Sequence, residues 1–321
     1  MQDGQKETKQ AMKIFKNDFE LEDKKKLEEY LLGYDHESSA QCFSSLYTWS
    51  VIHDFCWEDI DGYLCIEGTY RPRQDEELLV HYMFPPIPSS GRFDVDALRK
   101  VVAKAQVKFA EAGEEFMIKR LTGGMKPVFE EAFPEAEITE DRTYFDYLYS
   151  IEELVELRGK KFHGKKNHLN AFNRSYDHEV REYEPGMAWD VLDLMDRINA
   201  MRTDTPEDAA ALSYEREAVI HPLENADKLG CIGCGIYIAG TMQAFAFGGR
   251  LSDDTICEHI EKANIQFKGS YAAINHSFCA LAQEKGYSFI NREEDMGSEN
   301  LRKSKLSYHP VKLIEKFEMK F

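Results

Sequence analysis

Apolar and polar positions along this chain follow two periods, one near 3.6 and one near 2, and the order in which they occur is repeated. In the first half, Asp23 to Leu32 reads as a helix stopped by Gly33. Phe55 to Trp57 and Tyr63 to Glu67 flank Asp61-Gly62, a two-residue hairpin signal. Leu78 to Phe84 is a strand-like apolar run, followed by a loop rich in Pro, Ser and Gly, Pro85 to Gly91. Leu98, Val101, Val102, Ala105 and Phe109 then recur at helical spacing, with Asp94 and Asp96 near the start and Gly113 as the stop. Phe116 to Leu121 predicts a strand, Gly124 to Phe133 a short helix and Thr143 to Tyr149 a further strand.

The second half runs the same way. Met187 to Ala200 and Pro206 to His221 predict helices, and Gly235 to Ala239 and Met242 to Phe247 flank a turn at Gly240-Thr241. Ile256 to Asn264 predicts a polar strand, followed by a loop holding Gly269. Tyr271, Ile274, Phe278, Leu281 and Ala282 line one face of a helix stopped by Gly286. Tyr287 to Asn291 predicts a strand, Ser298 caps a short helix that ends before Pro310, and Lys312 to Met319 is the last strand. A charged helix from Glu152 to Phe172 joins the halves. The pattern predicts an α/β (α+β) chain built as a tandem duplication. The units are 1–150 and 176–321, with a connecting basic helix at 151–175.

Bulk properties narrow the class. A length of 321 residues suits about two domains, and 43% hydrophobic residues suffice for their cores. No run reaches the ~18 apolar residues of a membrane span, and the polar start, Met1 to Lys16, lacks a secretory core. The expectation is a cytoplasmic protein. Seven cysteines are scattered, and Cys65, Cys257 and Cys279 sit in apolar runs. Cys231 and Cys234 form a C-x-x-C with no matching second pair, so no metal is expected. A net charge of −18 argues against a surface given over to nucleic acid, and no DNA partner is implied. It leaves room for one local basic patch.

Four polar constellations stand out. Arg158 to Arg174 carries Arg158, Lys160, Lys161, Lys165, Lys166 and Arg174, with Asn167 among them and no acid until Asp177. It suits docking of phosphates, from tRNA or CoA, and equally a solvated basic face. Glu258, His259, Glu261 and Lys262 crowd one strand, where period two puts Glu258 with Lys262 and His259 with Glu261. Glu258 and Glu261 are the base candidates for acyl transfer and His259 the next, against a cross-strand salt bridge. Asn291, Arg292, Glu293 and Asp295 follow a strand end, where they suit an ammonium or a phosphate. Arg302 and Lys305 share a helix face and could stabilise an oxyanion, or simply complement a helix dipole. No Gly-x-Ser-x-Gly elbow, P-loop or dinucleotide fingerprint is present.

The runs Asp146 to Tyr149, Leu157 to His168, Glu258 to Ala263 and Ile290 to Gly297, continuing to Leu301 to Lys305, together resemble the family related to the C-terminal catalytic domain of phosphatidylglycerol lysyltransferase. The resemblance implies a tandem GNAT-like acyltransferase fold, shared with the peptidoglycan-bridge aminoacyltransferases that use aminoacyl-tRNA. It implies an acyl or aminoacyl transfer onto an amine or hydroxyl; the concentration of polar residues in the second half puts the expected live site there. Tyr308 is then a candidate to return a proton to the leaving group. The pyrophosphate loop of acyl-CoA enzymes corresponds to Gln266 to Tyr271, where Gln266 and Gly269 match and Tyr271 replaces a small residue. The large residue favours the tRNA-dependent relatives, and the expected donor is aminoacyl-tRNA or an acyl-CoA, with an acyl-CoA-dependent N-acetyltransferase or an inactive ligand-binding module as alternatives. The large membrane domain of the lysyltransferase proper has no counterpart in this sequence.

Overall fold

A computed structural model describes residues 13–34, 37–72, 78–201 and 206–321, the side chains of 206–214 excepted. The start of the chain, residues 1–12, lies outside them. In chain order the strands are β1 (Asn17–Asp18), β2 (Cys56–Ile60), β3 (Tyr63–Tyr70), β4 (Val80–Met83), β5 (Ile87–Pro88), β6 (Met117–Thr122), β7 (Glu137–Glu140), β8 (Asp146–Ser150), β9 (His178–Glu182), β10 (Ile232–Ile238), β11 (Thr241–Arg250), β12 (Thr255–Ala263), β13 (Phe289–Asn291), β14 (Lys312–Ile314) and β15 (Lys316–Lys320). The helices are α1 (Lys24–Leu31), α2 (Phe43–His53), α3 (Val95–Ala112), α4 (Lys126–Ala132), α5 (Ile151–Glu156), α6 (His163–Ser175), α7 (Ala188–Ala200), α8 (Pro206–Glu224), α9 (Ala226–Leu229), α10 (Ser270–Glu284) and α11 (Glu299–Leu306).

Two mixed sheets result. The first runs β1-β2-β3-β4-β6-β15-β7 with β5 on β3, and the second runs β14-β8-β13-β12-β11-β10-β9. Each sheet is covered on both faces. Under the first lie α3 and α4, and above it α1 and α2. Under the second lie α5, α6 and α10, and above it α7 and α8. Helix α2 packs on α1 and α8 and reaches β3, β11 and β12, so it fills the seam between the sheets.

The local signals act as physics requires. Asp94 caps α3 by accepting from the Ala97 amide, and Gly113 ends it at φ 78°. Asp61 and Gly62 both take positive φ, 52° and 81°, as a tight hairpin between β2 and β3 needs.

Several expectations are corrected. The second hairpin turns at Ala239-Gly240, one residue earlier than expected. The connecting helix is two helices, broken where Leu157 and Gly159 take positive φ. Helix α2 and strands β7 and β9 were not anticipated. The expected last strand is two strands in different sheets. β14 pairs with β8 in the second sheet, and after Glu315 the chain crosses so that β15 lies between β6 and β7 in the first. Conversely β8, which precedes α5, sits inside the second sheet between β13 and β14. The two sheets therefore exchange a strand each.

Candidate functional site

Strands β12 and β13 run parallel, but they pair only over Thr255 to Cys257 against Phe289 to Asn291. β12 then continues to Ala263 while the chain turns away after Asn291, so the two part. A cavity of about 720 Å³ opens there, lined from the first half by α2 and from the second by β12, the turn after β13 and α11. Its walls hold Glu258, His259, Glu261, Lys262, Arg292, Glu293 and Lys305, seven of the candidate site residues singled out from sequence.

A β-bulge arranges them. Phe247 faces Ile260 and Gly248 faces Glu258, leaving His259 with no opposite residue on β11. The bulge resets the alternation. Glu258 and Glu261 therefore both serve Arg292, while His259 and Lys262 turn to the other face, toward α2 and α8. The period-two pairing of Glu258 with Lys262 and of His259 with Glu261 is thereby corrected. Gly248 permits the bulge: a Cβ there would lie 2.2 Å from the Cys257 carbonyl oxygen.

On one face, Arg292 Nε donates to Glu258 Oε2 and Arg292 Nη2 to Glu261 Oε2, each at 2.7 Å. The Asn275 amide also donates to Glu261. The guanidinium lies between the rings of Tyr149 and Tyr308. Two buried atoms of this cluster, Glu258 Oε1 and Arg292 Nη1, have no hydrogen-bond partner. Burial and the neighbouring Glu261 charge push the Glu258 carboxyl up to about 8 against the pull of Arg292.

On the other face, Ser44 Oγ and His259 Nε2 share a hydrogen bond of 2.8 Å, and His259 Nδ1 lies 2.9 Å from Glu293 Oε1. Ser45 Oγ donates to the same carboxylate oxygen. Burial opposes a charge on His259, but hydrogen bonds to Cys42 and Glu293 outweigh it and hold the imidazole up at about 10. Ser44 and Ser45 come from α2, so both halves build this wall.

Several candidates are engaged within the protein. Lys305 Nζ donates to the carbonyls of Arg292, Glu293 and Glu294, fixing the turn that carries them. Burial and the Arg292 charge lower its pKa. Asp295 is fully buried and accepts from Arg302 twice, from Arg142 and from Tyr147, so the Arg302 guanidinium is spent on Asp295. Asn291 bonds the Glu37 carbonyl and Asp146 behind the cavity wall. Lys262 Nζ donates to Glu215 of α8 at 2.6 Å. Tyr308 is buried, with the Lys165 ammonium 3.6 Å above its ring.

The profile of the family described as phosphatidylglycerol lysyltransferase, C-terminal, matches residues 33–319. The chain belongs to that family. A Bacteroides thetaiotaomicron protein of unknown function is 32% identical, over 94% of this chain and 97% of that one, with a TM-score of 0.81. L-PGS from Bacillus licheniformis is 14% identical over 96% of this chain and 94% of its own, with a TM-score of 0.62. FemX is 10% identical over 92% and 95%, also with a TM-score of 0.62. The last two likenesses are of fold, and the fold is the tandem GNAT-like one expected. Family and fold support acyl or aminoacyl transfer as the class of chemistry.

In this member of the lysyltransferase C-terminal family, four amides of the loop before α10 are bonded within the protein. The Gln266 amide bonds Asn264 Oδ1, the Phe267 amide the Asn264 carbonyl, the Lys268 amide Tyr176 Oη and the Ser270 amide the Phe267 carbonyl. Gly269, at φ 93°, lets α6 press on the loop, since a Cβ would lie 2.6 Å from the His168 carbonyl oxygen. On α6, Lys166 and Asn167 are exposed, and Lys165 alone turns inward. Burial and the Arg292 charge pull the Lys165 pKa down to about 8. Among the described residues Lys160, Lys166 and Arg174 have no ion-pair partner, while Arg158 and Lys161 pair with Glu156 and Glu153. No helix of the described residues is long and apolar enough to cross a membrane. Ser44, Ser45 and Trp49 of this wall were not among the candidates; the small polar pair inside an apolar run was their one signal.

Proposed function

We propose that this chain transfers an aminoacyl group from aminoacyl-tRNA to an amine or hydroxyl acceptor. The observation that carries the reading is the cavity at the parting of β12 and β13, with the uncommitted Glu258 Oε1 and Arg292 Nη1 in its wall. Buried polar atoms left unpaired are costly, and a bound substrate that pairs them removes the cost. The acceptor's oxygen or nitrogen attacks the ester carbonyl and the bond to the ribose oxygen breaks. Glu258 is the base that takes the acceptor's proton and returns it to the departing ribose oxygen, and Arg292 Nη1 faces the developing oxyanion.

The donor assignment rests on two features of α6 and its neighbour. Lys160, Lys166 and Arg174, without an ion-pair partner among the described residues, offer phosphate contacts on and beside α6, the helix whose Lys165 reaches the Tyr308 ring. Four of the loop amides, those of Gln266, Phe267, Lys268 and Ser270, are already bonded within the protein, which leaves fewer for a CoA pyrophosphate.

Binding of aminoacylated tRNA at several salt concentrations tests the donor. Lys160→Glu with Lys166→Glu is expected to flatten the log–log salt slope by about 1.4–1.8, the share of two phosphate contacts. Affinity that ignores the double change sinks the tRNA reading, and a thermal shift with CoA but not tRNA moves the donor to acyl-CoA. Glu258→Gln is expected to cut turnover by about 10²–10⁴ while leaving tRNA affinity unchanged. One observation favours a ligand-binding module instead: Arg292 already pairs with both carboxylates. Tight tRNA binding without any turnover would support it.

A further inference from the structure

We propose that the α2-facing wall of the cavity is a binding site for a thiophilic divalent cation of the zinc class, held by Cys257, His259 and Glu293. A Cys257 sulfur, a His259 ring nitrogen and a Glu293 carboxylate oxygen all lie within 4.8 Å of one another. Cys257 and His259 are both on β12 and both turn toward the α2 side, while Glu293 comes from the turn after the parallel neighbour β13. Thiolate, imidazole and carboxylate in one small set are the donors a tetrahedral zinc ion takes.

The separations fit. Bonds of about 2.3 Å to sulfur and about 2.0–2.2 Å to nitrogen and oxygen place tetrahedral ligands ~3.3–3.6 Å apart. Cys257 Sγ stands 3.6 Å from Glu293 Oε1, and His259 Nδ1 stands 2.9 Å from it. A small opening of the second contact seats the ion. The proton shared by His259 and Glu293 and the thiol proton of Cys257 then leave to solvent, as metal binding requires.

The surroundings are those of a metal ligand set. His259 would bind through Nδ1, and its Nε2 is fixed by Ser44 Oγ at 2.8 Å. Such an outer partner sets the tautomer and aims the ring. Ser45 Oγ holds the Glu293 carboxylate, and the Asn291 side chain accepts from the Glu293 amide. Cys42 packs directly against Cys257 and His259, its thiol on the Arg250 carbonyl and beside Ser44. His259 and Glu293 line the cavity, so a fourth position faces it, the arrangement of sites whose metal meets a substrate. The C-x-x-C is no rival: Cys234 packs under the second sheet with α10, whereas Cys231 packs on the opposite side.

The proposal does not depend on the transfer reaction and is tested without it. Full-length protein stripped with EDTA is titrated with Co²⁺ and read by absorbance. The expected result is one equivalent bound with a sulfur-to-cobalt charge-transfer band in the near ultraviolet. Cys257→Ser, nearly isosteric, is expected to lose the band while its circular dichroism stays that of the parent. Glu293→Gln is expected to weaken Zn²⁺, followed by thermal shift, by at least the ~10–100-fold that outer partners are worth. Absence of the band in the parent protein overturns the proposal. So does a band that survives Cys257→Ser, or a Zn²⁺ shift unchanged in Glu293→Gln.

Discussion

Arg292 holds two carboxylates at once in a place where water is scarce. Removing it leaves Glu258 and Glu261 buried and facing each other, and breaking a buried ion pair from one side costs about 3–5 kcal/mol. Arg292→Gln is therefore expected to lose stability on that scale in urea denaturation. A loss under ~1 kcal/mol would mean that the pair is solvated. Lys165 is the second residue set by its neighbours. Its amine is neutral above about 8 rather than above the usual 10.5. Acylation of Lys165 by a dilute reagent, followed by peptide mass spectrometry, is expected to rise through a midpoint near pH 8. A midpoint near 10.5 would show that neither burial nor Arg292 is felt there. Sequence singled out residues that the fold does bring together, Glu258, Glu261, His259, Arg292 and Glu293. Charge at helical spacing did not reveal that a backbone turn engages Lys305 or that a buried aspartate engages Arg302.

At the scale of the element, the bulge at His259 decides which chemistry faces which way. Gly248→Ala would drive a methyl into the Cys257 carbonyl, a contact that only a backbone shift relieves. The expected cost is about 1–3 kcal/mol, with the Glu258–Arg292 contact disturbed. A variant with unaltered stability would show that the bulge tolerates a side chain. Helix α2 was invisible for a related reason. Phe43, Ser44, Ser45, Leu46 and Thr48 are all buried, so it shows no apolar stripe against a polar face. The amphipathic α3 and the Asp61-Gly62 hairpin, each with one wet side, were legible in advance. Elements with a wet side announce themselves; α2, which has none on these positions, does not.

Across the whole molecule, the two sheets are tied by their exchanged strands and by a buried knot. Lys316 on β15 donates to Asp146 on β8 at 2.6 Å, and Asp146 also accepts from Ser39 twice and from Asn291. Lys316 is 1% exposed and Asp146 is 0%. Asp146→Ala is expected to cost about 3–5 kcal/mol, measured by denaturant unfolding, because it strands a buried ammonium. A cost near zero would show that Ser39 and Glu294 suffice as partners. The repeated order of elements was legible from sequence. The exchange was not, since periodicity shows that a strand exists and not which sheet receives it.

The crossing at Glu315 also ties folding to the order of synthesis. The place of β15 lies between β6 and β7, so a growing chain carries a gap in its first sheet until residues 316–320 have been made. Both flanking strands then present open edges, the surfaces most prone to pair with other chains. A ribosome that stalls or a message cut short before that point releases a chain primed to aggregate, with the second sheet nearly complete and the first still open.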